Sequence, residues 1–286
     1  MAEISAAAVV KLRKMSGQGM MDCKKALTEA DGDLDKALDL LRKKGLATLS
    51  KRAERETSQG LVVFAKGDNW ASLATLCCET DFVAKSDDFL AAVEFVRKYM
   101  TQCRADCGAD NLQETQVDGK KFSDIITETV SRTGEKMLVG DYARYRLSGP
   151  GLIGSYIHFN GKVGAMVKIE TSADSVAAAD AVRRIANELA MHITATKPKA
   201  LDRDGIDAAT IDRERSIYAE QARNKQPQIV EKIIEGKMRN YFTENCLLEQ
   251  PFVKDDSKSV EQVLADAANQ AGGKAKIKEF VRFEVG

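Results

Sequence analysis

Two histidines and six cysteines are the side chains most suited to acid–base, nucleophilic or metal chemistry. His158 falls in a predicted strand and His192 on the inner face of a predicted helix, so we interpret both as packed or surface residues rather than bases. Cys103 and Cys107 could share one face of a helix, but no second cysteine or histidine pair complements them as a zinc site requires. The sequence therefore predicts no metal site and no cofactor.

Phosphate binding and covalent catalysis also find little support. The chain has no Gly-x4-Gly-Lys-Ser/Thr loop and no serine or cysteine in a recognisable nucleophile context, so an enzyme acting on a small-molecule substrate is disfavoured. An RNA-binding module would need a basic face with stacking aromatic rings. The chain has one Trp and mixed charge throughout, so we expect no direct contact with nucleic acid.

One short junction sets a carboxylate beside an aromatic ring. The run 70–78 alternates as a strand, a helix is predicted from about Ser86, and Asp81 and Phe82 lie between them. In one interpretation Phe82 folds back into the core and Asp81 caps a turn, since most Phe residues are buried. In the other, Phe82 is an exposed anchor for a partner's pocket, with a charge fixed beside it. The local pattern does not choose between them.

Composition narrows the class of protein. The 286 residues can bury a sizeable core, and 43 basic residues balance 43 acidic ones, so no overall field favours nucleic acid or an anionic membrane. No apolar run approaches the roughly 18 residues of a membrane span, and no signal-peptide pattern opens the chain. The cysteines lack disulfide-framework spacing. We expect a soluble, cytoplasmic protein with reduced, mostly buried thiols.

Residues 5–45 predict three short helices. Ser5 and Asp33 are the expected N-caps, while Gly17 and Gly45 are expected to end the first and third helices. These helices should form a small bundle around shared apolar faces.

Met20 and Met21 are an unusual pair within this bundle. Neighbouring residues on a helix point roughly 100° apart, so both cannot be buried in a three-helix core. At least one is expected to be exposed, where a flexible methionine suits a protein contact.

The remaining sequence predicts an α+β core with a helical insertion. Strand, turn, strand and helix over 60–104 are echoed by a second strand pair around a two-residue Asn160–Gly161 turn and a helix from about Ser175. Two helices flanking Pro227, with a narrow apolar stripe, predict a protruding hairpin. The predicted division is a helical module (1–45), a charged linker (46–59), two similar antiparallel-sheet-plus-helix halves (60–140, and 141–204 with 247–286) and the inserted hairpin (205–246).

Three stretches resemble the elongation factor Ts family, the guanine-nucleotide exchange factors of elongation factor Tu. They are Leu12-Arg-Lys-Met-Ser-Gly-Gln-Gly-Met-Met-Asp-Cys-Lys-Lys-Ala-Leu27, Thr80-Asp-Phe-Val-Ala84, and Tyr156-Ile-His-Phe-Asn-Gly-Lys-Val-Gly164 with Ala190-Met-His-Ile193. Phe159 departs from the pattern, since the family usually has Gly there. The resemblance implies that 1–45 is a ubiquitin-associated-like module and that 205–246 is a projecting coiled-coil arm. A ubiquitin-binding scaffold would explain that module alone.

The resemblance also implies a function and a set of contact residues. The chain would bind elongation factor Tu with GDP, dislodge Mg²⁺ and promote GDP release so that GTP can bind, without covalent chemistry of its own. The Phe82 ring would wedge between helices of the GTPase domain. The implied contact residues are Thr80, Asp81, Phe82 and Val83 at the junction, Arg13, Met20, Met21 and Lys24 in the N-terminal module, and His158 and Val253 in the second half of the core.

Overall fold

The computed structural model describes residues 4–286, apart from the side chains of Pro227 and Gln228. It is a mixed α and β structure in which helices cover small sheets, which confirms the predicted α+β class. The first of two compact units holds the described residues up to Arg144 with Phe159–Val163 and Phe283–Gly286; the second holds Tyr145–His158 and Gly164–Arg282. Within the described residues, no helix is long and apolar enough to cross a membrane.

The first unit opens with three helices, α1 (Ala6–Ser16), α2 (Met20–Glu29) and α3 (Leu34–Lys51). The predicted caps are confirmed: the Ser5 hydroxyl accepts a hydrogen bond from the Ala8 N–H, and the Asp33 carboxylate accepts one from the Asp35 N–H. Gly17 ends α1 with a φ of 66°. The buried faces share one small core, which includes Val9, Leu12, Cys23, Leu27 and Leu41.

The remainder of this unit is a three-stranded sheet covered by helices. Its elements are β1 (Gln59–Lys66), β2 (Trp70–Cys78), α4 (Asp81–Ala84), α5 (Asp87–Gln102), α6 (Ala109–Glu114), β3 (Gln116–Val117), β4 (Lys120–Lys121), α7 (Phe122–Thr133) and β5 (Met137–Arg146). The strand order is β1-β2-β5, with β1 and β2 antiparallel from Gln59–Cys78 to Lys66–Ala71. Phe89 of α5 and Phe122 of α7 are fully buried in its core.

Gly45 does not end α3, so that prediction was wrong. The helix continues to Lys51, and the first residues of the predicted linker are helical. A Cβ at Gly45 would lie 2.5 Å from the Thr127 carbonyl oxygen of α7. Glycine is therefore needed for the close approach of two helices, which the local sequence does not distinguish from a helix stop.

The second unit repeats the pattern of sheet and helices. Its elements are β6 (Gly151–Ile157), β7 (Val163–Thr171), α8 (Asp174–Ala178), α9 (Asp180–Thr196), a 3₁₀ turn (Arg203–Gly205), α10 (Ala208–Ala222), α11 (Pro227–Asn245), a second 3₁₀ turn (Leu247–Glu249), β8 (Pro251–Phe252), β9 (Asp255–Ser259), α12 (Val260–Gln270) and β10 (Ala275–Glu284). The strand order is β10-β7-β6. Ile169, Leu189 and Val260 are fully buried in its core.

The β6–β7 connection is not the predicted two-residue turn. The ladder ends at the pair Ile157–Gly164, so residues 158–163 connect the strands and His158 lies just beyond the strand rather than on it. The Gly161 carbonyl accepts the Val62 N–H at 2.7 Å, and the Lys162 carbonyl accepts the Val285 N–H at 2.8 Å. In a tight hairpin the Lys162 carbonyl would accept the Phe159 N–H, whereas here it accepts the N–H of a distant residue.

Residues 149–154, which lead into β6, have the sequence pattern Gly-x-Gly-x-x-Gly. This pattern binds phosphate when it joins a strand to a helix. Here the last four of these residues lie in β6, antiparallel to β7. A Cβ at Gly154 would collide with the Ala186 backbone of α9. This glycine serves close strand–helix packing, and no phosphate loop is formed.

The helix predicted from Ser175 is two helices. Ala179, with a ψ of 131°, is extended and separates α8 from α9. Neither glycine nor proline marks the break. Val176 of α8 is buried in the core of the second unit, so packing rather than local sequence fixes the corner.

Helices α10 and α11 pack along a narrow apolar seam. Ile234, Met238 and Tyr241 of α11 are buried, with Ile211 and Tyr218 of α10 packed against them. Outside the seam the contacts are polar, such as an ion pair of 3.7 Å between Arg215 and Glu231.

His192 is buried and held in one tautomer. Its Nδ1 accepts the Val253 N–H at 3.2 Å, so Nε2 carries the proton and donates it to Gln250 Oε1 at 2.9 Å. Burial lowers the pKa of His192. The predicted location on the inner face of a helix is confirmed, and the side chain joins α9 to the residue that follows β8.

Gly45→Ala should destabilise the protein by about 1–3 kcal/mol, because the new methyl group would collide with the Thr127 carbonyl. Gly236→Ala in α11 is the matched control, since no atom lies within 4 Å of its Cβ position. In that open helical site alanine should stabilise by about 0.5–1 kcal/mol. Urea unfolding of both variants measures the difference, and equal effects would contradict the close-approach explanation.

Stability should decrease at acidic pH partly through His192. A lowered folded-state pKa means that this contribution is complete above the unfolded value of about 6.5 and is lost as pH falls through the folded-state pKa. The free energy of unfolding of the wild type should therefore fall more steeply below about pH 6.5 than that of His192→Gln. Urea titrations at several pH values test this, and parallel pH profiles would show that His192 does not contribute.

Candidate functional site

Phe82 lies on a single helical turn, α4, with 83% of its surface exposed. The Thr80 hydroxyl caps this turn by accepting the Val83 N–H at 3.3 Å. Val83 packs against the core of the first unit, whereas Asp81 and Phe82 face solvent. The interpretation of Phe82 as a core residue is therefore wrong, and the cap of the turn is Thr80 rather than Asp81.

A second cap follows at once and fixes the corner between α4 and α5. The Ser86 hydroxyl donates to the Val83 carbonyl at 2.7 Å and accepts the Phe89 N–H at 3.3 Å. Phe89 is fully buried, so α5 is anchored where it starts. Two consecutive caps thus fix the backbone of the turn, and in this conformation Phe82 faces outward.

Thr80 is also held by two hydrogen bonds to the carboxylate of Glu135. One carboxylate oxygen accepts the Thr80 hydroxyl at 2.8 Å and the other accepts the Thr80 N–H at 3.1 Å. The Thr80 carbonyl accepts the Cys78 thiol at 3.3 Å. All the polar groups of Thr80 are thus engaged, which fixes the residue from which the turn starts.

Glu79, the residue before Thr80, is held in a similar way. Its carboxylate oxygens each lie 2.8 Å from Arg52 Nη1, and one accepts the Lys136 N–H at 2.7 Å. Partial burial alone would raise the pKa of Glu79, but the Lys136 N–H and Arg52 outweigh it and lower that pKa. The segment 134–136 therefore clamps the end of β2 through Glu135 and the Lys136 backbone.

Asp81 is exposed and ion-paired. Its carboxylate lies 2.9 Å from Lys85 Nζ, one turn further on. The hydrogen bond from Lys85 lowers the pKa of Asp81, and the charge of Lys162 adds to the effect. The site therefore presents one ring and one carboxylate that is ionised at neutral pH.

The neighbouring thiols are poorly suited to act as nucleophiles. Burial raises the pKa of Cys77, and it raises the pKa of Cys78 to about 12. Both thiols are protonated at neutral pH and are weak nucleophiles.

Across residues 4–286, no group of three His, Cys, Asp or Glu side chains could hold a metal ion. What the arrangement presents is an exposed ring beside an exposed carboxylate.

The residues singled out in the N-terminal module lie on two helices. Arg13 is exposed in the last turn of α1, while Met20, Met21 and Lys24 lie in the first two turns of α2. Met21 is 76% exposed and Met20 40%, which confirms the expectation that at least one of them is exposed. Met20 and Lys24 are four residues apart and share one face of α2.

His158 and Val253 lie in different connections of the second unit, after β6 and after β8. His158 is half-buried, with Nδ1 3.5 Å from the Tyr156 hydroxyl. Val253 exposes half of its surface while its N–H is held by His192. The buried histidine thus fixes the backbone of an exposed apolar residue.

Sequence reasoning missed the residues that support the turn, namely Glu135, Arg52 and Lys136. They lie 27 to 57 residues away from the residues they hold. The left-handed Gly134 ends α7 and directs the chain toward β2, but no local pattern indicates which side chain Glu135 will meet.

Comparison with known proteins covers most of the chain. The family model described as elongation factor TS matches residues 79–286. The chain is 40% identical to elongation factor Ts of a Nitratiruptor species and 38% identical to that of Clostridium kluyveri, each over 99% of this chain and 93% of the relative. It is 37% identical to elongation factor Ts of Lawsonia intracellularis over 99% of both chains. The chain therefore belongs to the elongation factor Ts family.

Proposed function

We propose that this protein is a guanine-nucleotide exchange factor that binds elongation factor Tu in its GDP form and promotes GDP release so that GTP can bind. The observation that carries the proposal is the exposed Phe82 beside Asp81, on a doubly capped turn, in a chain that matches elongation factor Ts over nearly its whole length. The protein performs no covalent chemistry in this role. Its proposed place of action is the cytoplasm.

Exchange of this kind rests on a coupling free energy. If the factor weakens GDP binding to its GTPase, GDP weakens the binding of the factor by the same amount. The factor cannot change the final balance of GDP and GTP; it opens a faster route through a nucleotide-free complex. Mg²⁺ is the vulnerable part of the GTPase site, because it demands near-ideal octahedral geometry and bridges the phosphates to the protein.

The turn from Thr80 to Val83 is the proposed element that displaces this Mg²⁺. The Phe82 ring would wedge between helices of the GTPase domain and move its metal ligands. Such insertion is cheapest when the ring is already exposed and its backbone already fixed, because little ordering entropy is then lost on binding. The bonds to Glu135 and the two caps provide this preorganisation.

Other contacts are proposed for both units. Arg13, Met20, Met21 and Lys24 would bind the GTPase domain from the ubiquitin-associated-like module, 1–45, which 46–59 joins to the core. His158 and Val253 would bind a further domain of elongation factor Tu. The proposed core halves are 60–140, and 141–204 with 247–286, and 205–246 is the proposed protruding arm.

Phe82→Ala should reduce acceleration of GDP release by about tenfold or more, because the inserted anchor is lost. The thermal midpoint should stay near that of the wild type, since the side chain is 83% exposed. The measurement is release of a fluorescent GDP analogue from elongation factor Tu at fixed Mg²⁺. Asp81→Ala should also weaken exchange.

Phe95→Ala is the matched control, because Phe95 is another exposed ring, on α5 outside the turn. It should retain wild-type exchange. No acceleration by folded wild type would end the exchange proposal. Full activity of Phe82→Ala would leave exchange standing and remove Phe82 from its mechanism.

Glu135→Ala should weaken exchange although Glu135 is not a proposed contact residue, because Thr80 loses both of its charged acceptors. A bond to a charged group is worth about 1.5–3 kcal/mol, so a several-fold loss of exchange is expected. Glu135→Gln, which can still accept one bond, should lie between alanine and wild type. Equal activity of all three proteins, measured by the same GDP-release assay, would exclude a positioning role.

A further inference from the structure

Phe159 is a second exposed ring in the first unit. It lies in the 158–163 connection with 91% of its surface exposed, against 83% for Phe82. Aromatic rings are enriched among the residues that dominate the binding energy of protein interfaces.

The loop that carries Phe159 is fixed through the residues that follow the ring, 160–162. The Gly161 carbonyl accepts the Val62 N–H, and the Lys162 carbonyl accepts the Val285 N–H. The Asn160 side chain accepts the Lys162 N–H at 2.9 Å, which closes a local turn. A Cβ at Gly161 would lie 2.6 Å from the Leu61 side chain, so the loop packs closely on β1. Phe159 is therefore an exposed ring on an anchored backbone.

This loop lies at the end of the sheet where the Phe82 turn begins. Lys162 Nζ donates to Gln59 Oε1 at 2.6 Å. Gln59 pairs with Cys78, the last residue of β2 and two residues before Thr80. The pKa of Asp81 is lowered mainly by the hydrogen bond from Lys85, and the charge of Lys162 adds to that effect. One lysine thus links the Phe159 loop to the strand end and to the carboxylate beside Phe82.

We propose that Phe159 and Phe82 form one contact surface with two aromatic anchors, and that Phe159 binds an apolar patch on the same GTPase that Phe82 enters. This inference rests on the proposed function. The two rings stand on separate backbone anchors, β1 for Phe159 and the α4 turn for Phe82. In this surface the two rings have different roles. Phe159 contributes affinity, whereas Phe82 contributes to the exchange step itself.

Phe159→Ala tests this division in the full chain. The dissociation constant for nucleotide-free elongation factor Tu, measured by calorimetry, should rise about tenfold or more. The maximal rate of GDP release at saturating factor should remain within about twofold of wild type, since affinity lost equally in all states does not alter the maximal rate. Phe82→Ala should show the opposite pattern, with a lower maximal rate.

Three further variants complete the test. Phe159→Tyr keeps the ring and should bind like wild type, while Phe95→Ala, an exposed ring on another element, should change the dissociation constant less than twofold. If Phe159→Ala lowers the thermal midpoint, Phe159→Arg replaces it, because a long polar side chain at so exposed a position should leave the fold intact.

The outcomes separate the two proposals. If wild type accelerates GDP release and Phe159→Ala binds as tightly as wild type, the two-anchor surface is wrong and the exchange function stands. If wild type neither binds elongation factor Tu nor accelerates release, both proposals are wrong. A lower maximal rate for Phe159→Ala with unchanged affinity would overturn the assigned role.

Discussion

The pair of hydrogen bonds between Glu135 and Thr80 is the constraint on which the candidate site depends. A strand end is normally a place where the backbone frays, yet here the hydroxyl, N–H and carbonyl of Thr80 all have partners. The turn that follows is only four residues long and has little stability of its own. Its conformation is therefore set by the residue from which it starts, and an exposed ring becomes a fixed feature of the surface.

The same principle of exposed side chains on fixed backbone recurs elsewhere in the chain. Val253 is exposed while its N–H is bound by the buried His192. Phe159 is exposed while the peptide groups that follow it are bound by β1 and by Val285. In each case buried side chains or backbone groups hold the main chain rigid, so the exposed side chain is not needed for folding and is available for a contact. This arrangement lowers the entropy cost of association without requiring a large preformed pocket.

Sequence reasoning succeeded where the determining interaction is local. The caps at Ser5 and Asp33, the helix end at Gly17 and the exposure of a methionine follow from residues within one helical turn of each other. It failed where a distant segment decides. Gly45 looks the same in the sequence whether it ends a helix or allows α7 to approach closely. Asn160–Gly161 is typical of a tight turn, yet the Gly161 carbonyl accepts the distant Val62 N–H. The local pattern located Asp81 and Phe82 at a junction, and the family resemblance favoured their interpretation as an exposed contact. No sequence signal indicated Glu135.

The distribution of thiols has a practical consequence for following the protein in solution. Five of the six cysteines are buried, and Cys107 alone is exposed in the described part of the chain. The backbone around Cys107 is held by the bridge to Ala143 and by the Asn111 side chain, which donates to its carbonyl. A maleimide dye added to the folded protein should react there selectively, since accessibility governs thiol labelling. The native sequence thus carries its own attachment point for a fluorescent reporter, and no cysteine needs to be removed or introduced.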